Sequence, residues 1–430
     1  MKKLLIAATV VLVSSSPLVL LPMEKELTLT PKQVQKLTQN TTASLTQFKQ
    51  IPKNPRTITT ILTYKNKDLT EFKTSIQADT KLSISAIFWN AKGEPVFQLQ
   101  DGDYVAASQK SIVDDSIYNQ KPVDMTFWTK DGLTVYKEPY VLGTEKADSK
   151  LASFKPIKVS QAAQTHAGIY YLVDGEGWIN ASDLSMTDNR IEAVQKVLNE
   201  KYNNQERISV YVKQLDTDRV AAINDEKSMY AASVAKLGVL YYAQERLSQK
   251  KLSLSDEYQY TSAVNGFPGA YDPDGSGKIS KMPDDKNYSL ENLLKAVAQN
   301  SDNVATNILG YYVTNQYDKA FQKSVDKAAA TSWNMDKKEL TARAAGTLME
   351  AVYRQNGDII TYLSSTDYDG ERISKNIDVP VAHKIGDAYD FKHDVAIVYA
   401  DSPFILSIFT DKEGYDKITS IADDVYGILK

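Results

Sequence analysis

The stretch Ser228-Met-Tyr-Ala-Ala-Ser233-Val-Ala-Lys236-Leu-Gly-Val-Leu-Tyr-Tyr-Ala-Gln244 decides how the C-terminal half of the chain is read. It sets Ser233 and Lys236 three residues apart at the opening of an apolar helix expected over Ala231–Gln244, so hydroxyl and amine share one face. Among Leu237, Val239, Leu240, Tyr241 and Tyr242 the ammonium form is disfavoured, and the amine can take a proton from the neighbouring hydroxyl. Ser-x-x-Lys also occurs at Ser248–Lys251 and Ser324–Lys327, but there it lies among charged residues and reads as solvated surface.

Downstream, Asn300-Ser301-Asp302-Asn303 follows a helix expected over Ser289–Gln299, with Leu290, Leu293, Leu294 and Val297 on its buried face and Ser289 as its cap. In non-helical backbone residues i and i+2 point the same way, so Ser301 and Asn303 can both face a cleft. Ser301 is then placed to relay a proton to a leaving group, and Asn303 to hold a substrate amide and Lys236. A third segment, Val381-Ala-His-Lys384-Ile385-Gly386, precedes a strand pair expected at Val395–Tyr399 and Phe404–Thr410. A lysine beside a glycine on an edge strand offers a cation and backbone groups that an extended substrate can pair with. Helical spacing over Ile191–Tyr202, strands at Ile208–Leu215 and Val220–Asn224, and a last helix from Lys417 complete the pattern. Strands at both ends with helices between them imply one sheet built from both ends of an α/β domain spanning 190–430.

The ordered set S-x-x-K, S-D-N, K-x-G resembles the signature of class A β-lactamases and penicillin-binding proteins. Ser228-Met-Tyr-Ala-Ala-Ser233, Leu340-Thr-Ala-Arg343 and His393-Asp394-Val-Ala-Ile extend that similarity over nearly all of 190–430. The resemblance implies an antiparallel sheet with an all-helical lobe, Ser233 as acylated nucleophile, Lys236 as its general base, Ser301 as a further catalytic residue, and Asn303, Lys384 and Gly386 on the substrate. It also implies an oxyanion hole from the backbone N–H groups of Ser233 and Asp387. The expected acyl donor is a β-lactam or a D-alanyl peptide of the cell wall; the alternative is a wall-binding protein that keeps the fold with little turnover.

Three positions depart from the pattern. Ile385 stands where a Thr or Ser hydroxyl is usual, and Asp387 where a small neutral residue is usual. The glutamate of an E-x-x-x-N loop, which lets class A enzymes hydrolyse their acyl-enzyme, has as its nearest counterpart Glu339, with Arg343 at the asparagine position; Glu339 reads as an exposed residue ahead of a helix. Nine residues past Lys384, where an arginine is usual, stands His393, expected to hold the substrate carboxylate once protonated. Asp272-Pro-Asp-Gly-Ser-Gly-Lys-Ile279 resembles a calcium loop, but its twelfth position is Pro283, which cannot supply the bidentate carboxylate. No metal and no cofactor is expected.

The first half reads differently. Met1-Lys-Lys3 followed by an uncharged run from Leu4 to Met23 is a signal peptide or signal anchor, 1–23. With no cysteine in 430 residues, disulfides and lipid attachment through cysteine are excluded, and the expected location is extracytoplasmic, secreted or membrane-anchored. A net charge of −4 without a basic stripe argues against a nucleic-acid partner. Residues 24–56, rich in Thr, Gln and Lys, read as a stalk. Segments 57–118 and 119–187 each carry a strand, an Asp-Gly turn, an aromatic and a second strand: Phe97–Ser108 and Tyr170–Ser182. The second resembles the GW modules of Gram-positive surface proteins, small Src-homology-three-like barrels. The resemblance implies all-β barrel repeats that attach to teichoic acid or peptidoglycan, with Tyr104 and Trp178 as candidate wall-binding aromatics.

Overall fold

A computed structural model of the chain describes residues 46–203 and 205–430. The signal segment 1–23 and the stalk as far as residue 45 lie outside the described residues. None of the helices described is long and apolar enough to cross a membrane. The described residues divide into two compact units, with the boundary between Ile117 and Tyr118.

The first unit is built from β1 (Pro55–Thr57), β2 (Ile61–Tyr64), β3 (Phe72–Ile76), β4 (Ile84–Trp89), β5 (Pro95–Leu99), β6 (Tyr104–Ala106) and β7 (Ile112–Asp114). Five strands form an antiparallel sheet in the order β3-β2-β6-β5-β4, and β1 pairs β7. Alternation decides the faces: Ile61, Phe97, Leu99, Val105 and Ile112 form the core. The end of the expected stalk belongs to this unit, because Gln47 bridges Ser108, Phe48 packs on Phe97 at 5.5 Å between ring centres, and β1 begins at Pro55. On the outer face Phe72 and Tyr64 meet at 6.5 Å, and Tyr104 and Phe88 at 6.3 Å. Phe72 and Phe88 are exposed, while Tyr104 is half-buried.

The second unit opens with β8 (Asn119–Thr129), β9 (Val135–Tyr136), β10 (Pro156–Thr165), β11 (Gly168–Val173), β12 (Gly177–Asn180) and β13 (Leu184–Ser185). Their order is β13-β8-β10-β11-β12-β9, all antiparallel. The Asp-Gly segments of both units form the hairpins expected of them, β5–β6 and β11–β12. Around each hairpin the neighbours correspond: β4-β5-β6-β2 in one, β10-β11-β12-β9 in the other. Trp178 departs from the wall-binding expectation. It pairs with Leu172 and Tyr136, turns inward onto Ala163 and Tyr170, and is only 6% exposed, so its ring holds the module together and cannot meet a polymer.

The remainder is the α/β domain. Its sheet has the order β15 (Val220–Ile223), β14 (Ile208–Gln214), β22 (Phe404–Asp411), β21 (Phe391–Val398) and β20 (Val381–Ala388), so both ends of the domain contribute and β20 is an edge. Two short ladders pair β16 (Met229–Tyr230) with β19 (Glu339–Leu340), and β17 (Glu257–Gln259) with β18 (Asn287–Ser289). One face is covered by α1 (Arg190–Lys201) and α8 (Tyr415–Leu429), through Ile191, Val194, Leu198, Ile418, Ile421 and Val425. The other carries α2 (Leu237–Ser248), α3 (Leu290–Asn300), α4 (Asn303–Tyr312), α5 (Lys319–Ala329), α6 (Ala342–Gln355) and α7 (Asp358–Leu363). The junction with the preceding β module is packed. Buried Asn189 donates Nδ2 to Thr129 O at 3.0 Å, the Arg190 guanidinium lies 5.3 Å over Trp128, and Lys196 pairs Asp131 at 2.9 Å.

Candidate active site

Residues Ala232–Lys236 form a 3-10 helix rather than the first turn of an α-helix, and α2 follows directly. At three residues per turn, side chains i and i+3 eclipse one another, which aligns Ser233 with Lys236 more closely than an α-turn would. Ala232 takes a positive φ of 49°, a costly conformation for a residue with a Cβ and one that clusters at functional sites. Trp333, fully buried, braces the turn by donating Nε1 to Ala235 O at 3.1 Å. Gly238 is required there, since a Cβ would stand 2.7 Å from that Nε1.

Lys236 is wholly buried and donates Nζ to Ser301 O at 2.6 Å and to Asn303 Oδ1 at 2.5 Å. Burial first, and then the nearby Lys384 cation, hold its pKa well below the ordinary lysine range. A neutral amine has two N–H groups and one lone pair. In that form two acceptors use both hydrogens and the lone pair is left over. Lys384 donates to Ser301 Oγ at 2.7 Å and to Ile385 O at 3.1 Å; burial lowers its pKa to about 7 against the raising influence of Asp394. The structure therefore brings together Ser233, Lys236, Ser301, Asn303 and Lys384.

Ser301 ends α3 in the left-handed region at φ 53°, and Asp302 caps α4 by accepting Ala305 N–H at 2.8 Å. The other oxygen of Asp302 accepts Lys278 N–H at 2.6 Å and Ile279 N–H at 2.9 Å. Asn303 completes the clamp, donating N–H to Ser276 O at 2.8 Å and Nδ2 to Asp272 O at 2.7 Å. The segment that resembles a calcium loop thus packs on the S-D-N turn. Gly277 has a φ of +123°, and a Cβ there would lie 2.2 Å from Asp302 Oδ2.

Gly386 permits a close approach of two backbone segments in the site. A Cβ on it would meet Ala231 O at 2.6 Å, with β20 running against the 3-10 turn. Because that neighbour is backbone and cannot move aside, Gly386→Ala is expected to lower the melting temperature, at the cost of about 1–3 kcal/mol typical of overpacking. It should also slow labelling of Ser233 more than tenfold; unchanged labelling at equal stability would show that the approach is not needed.

Two residues not singled out in the sequence complete the surroundings. Buried Tyr271 donates its hydroxyl to Ala232 O at 3.2 Å, and both Lys236 and Lys338 place Nζ 4.5 Å from its ring centre. Lys338 also donates to Gly269 O at 2.9 Å, and burial lowers its pKa.

The profile of the Beta-lactamase enzyme family matches residues 189–429, more than half of the chain. The chain belongs to that family. A domain of unknown function (DUF5776) matches residues 47–113. Similar solved structures include PBP-A, 15% identical over 56% of this chain and 95% of that one, with a TM-score of 0.46. The TLA-1 extended-spectrum β-lactamase is 18% identical over 56% and 99%, with a TM-score of 0.46. A β-lactamase from Sphaerobacter thermophilus DSM 20745 is 15% identical over 55% and 94%, with a TM-score of 0.44. No curated protein matches the sequence.

Within this β-lactamase-family domain, the residues that depart from the pattern take places the sequence does not reveal. His393 is buried and stacked on Phe409 at 4.1 Å, with Nε2 on Tyr230 O at 2.9 Å and Nδ1 accepting Thr410 N–H at 3.1 Å. Burial pushes its pKa down to about 4, so the expected protonated carboxylate holder is a neutral core residue. Asp387 does not leave an uncompensated charge: it accepts Arg372 Nη2 at 2.8 Å, Lys392 Nζ at 2.6 Å and the Tyr415 hydroxyl. Glu339 is exposed on β19, and Arg343 pairs Asp225 at 2.6 Å. On the far face of β20, His383 bridges Asp394 at 3.0 Å and Asp369 at 3.1 Å. Burial works against its charge, but the two carboxylates prevail and raise its pKa to about 9.

Proposed function

We propose that the C-terminal domain is an acyl-transfer enzyme whose nucleophile is Ser233 and whose general base is Lys236. The arrangement that carries this reading is the buried Lys236 amine, with both N–H groups engaged by Ser301 O and Asn303 Oδ1, one 3-10 turn beyond the serine hydroxyl. Ser233 Oγ bonds to the substrate carbonyl carbon as Lys236 takes its proton. The bond to the leaving amine or alkoxide breaks, and the proton passes to that group through Ser301, which Lys384 orients. Backbone N–H groups of Ser233 and Asp387 would stabilise the oxyanion. The product of this half-reaction is an ester on Ser233.

Intact-mass measurement of the full chain after exposure to a fluorophosphonate, and to a fluorescent penicillin, tests the assignment. One adduct mapping to Ser233 and absent from Ser233→Ala is the expected result; an adduct that survives in the variant refutes it.

We also propose an extracytoplasmic site of action with attachment to wall polymer through the first β unit, where Phe72, Tyr64, Tyr104 and Phe88 form contacting ring pairs on the outer face of the sheet. Phe72→Ser together with Phe88→Ser, both at exposed positions, should release most of the protein from isolated cell walls in a sedimentation assay. Equal retention of variant and parent would rule this surface out.

A further inference from the structure

We propose that Asp387 withholds Arg372 from the substrate, so that the site prefers acyl donors without a carboxylate beside the scissile carbonyl. This rests on the acyl-transfer reading and names the class of substrate it takes.

A cavity of 560 Å³ opens beside Ile385 of the third motif and Ser276 of the loop clamped on the second. Arg372 is the one cation among the residues that line it. Both terminal nitrogens of its guanidinium are already engaged: Nη2 donates to Asp387 Oδ2 at 2.8 Å, Nη1 donates to Glu371, and the group lies 3.8 Å over the Tyr415 ring. The same Asp387 holds Lys392, and Tyr415 closes on it by donating its hydroxyl. Asp387 therefore sits where an incoming carboxylate would have to sit in order to use Arg372.

The rest of the wall argues in the same direction. Besides Arg372 it presents three carboxylates, those of Asp367, Glu371 and Asp387. Lys278, the partner of Asp367 at 2.6 Å, and Lys392 are not among the lining residues. Ile385 cannot donate a hydrogen bond from its side chain, and His393 is committed to Tyr230 O and Thr410 N. A carboxylate entering this space displaces an existing pair or faces like charge. A neutral ester or an ammonium-bearing group meets no such opposition. The chemistry points to esters or amides whose leaving side is neutral or cationic.

Benzylpenicillin and its methyl ester differ at the carboxylate alone, which makes them a direct probe pair. The ratio of their acylation rates at Ser233, taken on one preparation of the full chain, cancels any difference in folded fraction. For the parent protein the acid should acylate no faster than the ester. Asp387→Ala vacates the position and frees Nη2, and the acid-to-ester ratio should rise by roughly 10- to 150-fold, the range for one hydrogen bond to a charged group. Asp387→Asn, which removes the charge but keeps the volume, should give a smaller rise. Asp387→Ala with Arg372→Gln should return the ratio to the parent value. The inference is overturned if the parent already favours the acid tenfold, or if Asp387→Ala changes both rates equally. Absence of any Ser233 adduct with either penicillin or with the fluorophosphonate would instead overturn the acyl-transfer reading.

Discussion

Replacing Lys236 with alanine is expected to slow acylation of Ser233 by roughly 10²–10⁴-fold, the usual contribution of a positioned general base. The expectation follows from the amine's surroundings. Burial and the Lys384 cation disfavour its charged form, and its two hydrogen-bond acceptors satisfy the neutral form. With its charged form disfavoured the amine can accept the hydroxyl proton, and acylation should decline toward acid as Lys236 takes one from solvent instead. The sign of a second effect follows. Lys384, with its pKa near 7, is charged on that acid limb and lowers the pKa of Lys236. Lys384→Met should therefore move the decline to higher pH. Stopped-flow labelling with a fluorescent donor between pH 5 and 9 reads both effects. A flat profile, or a Lys236→Ala variant within threefold of the parent, would mean that another group takes the proton.

The second large effect concerns the fate of the acyl-enzyme. Hydrolysis of a Ser233 ester needs a base to activate water. Among the charged groups that act most strongly on Lys236, namely Lys384, Asp302, Lys338 and Lys281, Asp302 alone is a carboxylate. Asp302 is committed to the backbone N–H groups of Ala305, Lys278 and Ile279. Glu339 lies exposed on β19, and its neighbour Lys338 turns toward Tyr271 instead. With Asp302 committed to backbone amides and Glu339 turned to solvent, deacylation should be slower by the same ~10²–10⁴. Full-length protein mixed with nitrocefin should accumulate a stoichiometric adduct by intact mass. Its kcat/KM should remain far below the ~10⁷ M⁻¹s⁻¹ of efficient enzymes. Turnover at that level with no detectable adduct would show that some group here does activate water.

The parts of the site legible in the sequence were those fixed by local spacing. Ser233 and Lys236 lie one turn apart, Ser301 and Asn303 flank the junction of two helices, and Ser289 accepts Asn292 N–H as the expected cap of α3. Lys384 and Gly386 follow from alternation along an edge strand. Long-range packing supplied what spacing could not. Arg372 stands 15 residues from Asp387 in the chain, and Tyr271 reaches Lys236 from a loop. His393, nine residues past Lys384, sits opposite Gly386 on β21 with its ring turned into the core, a direction that spacing along the chain does not encode. Trp178 posed the same difficulty, since an aromatic in an alternating strand can face either way. Strand β3, Phe-Lys-Thr-Ser-Ile, has too few apolar residues to be seen by pattern, and it forms because β2 offers it a partner.

Asn189 has a consequence for how the protein comes apart. Its side chain stands at the boundary between the β module and the α/β domain, fully buried, and its amide is spent on a carbonyl of the module. Withdrawing the module would strip that amide of its acceptor and leave Trp128 and Arg190 without each other. The second β module and the α/β domain are thus expected to unfold together, and a cut between residues 187 and 188 would break a packed junction rather than a tether.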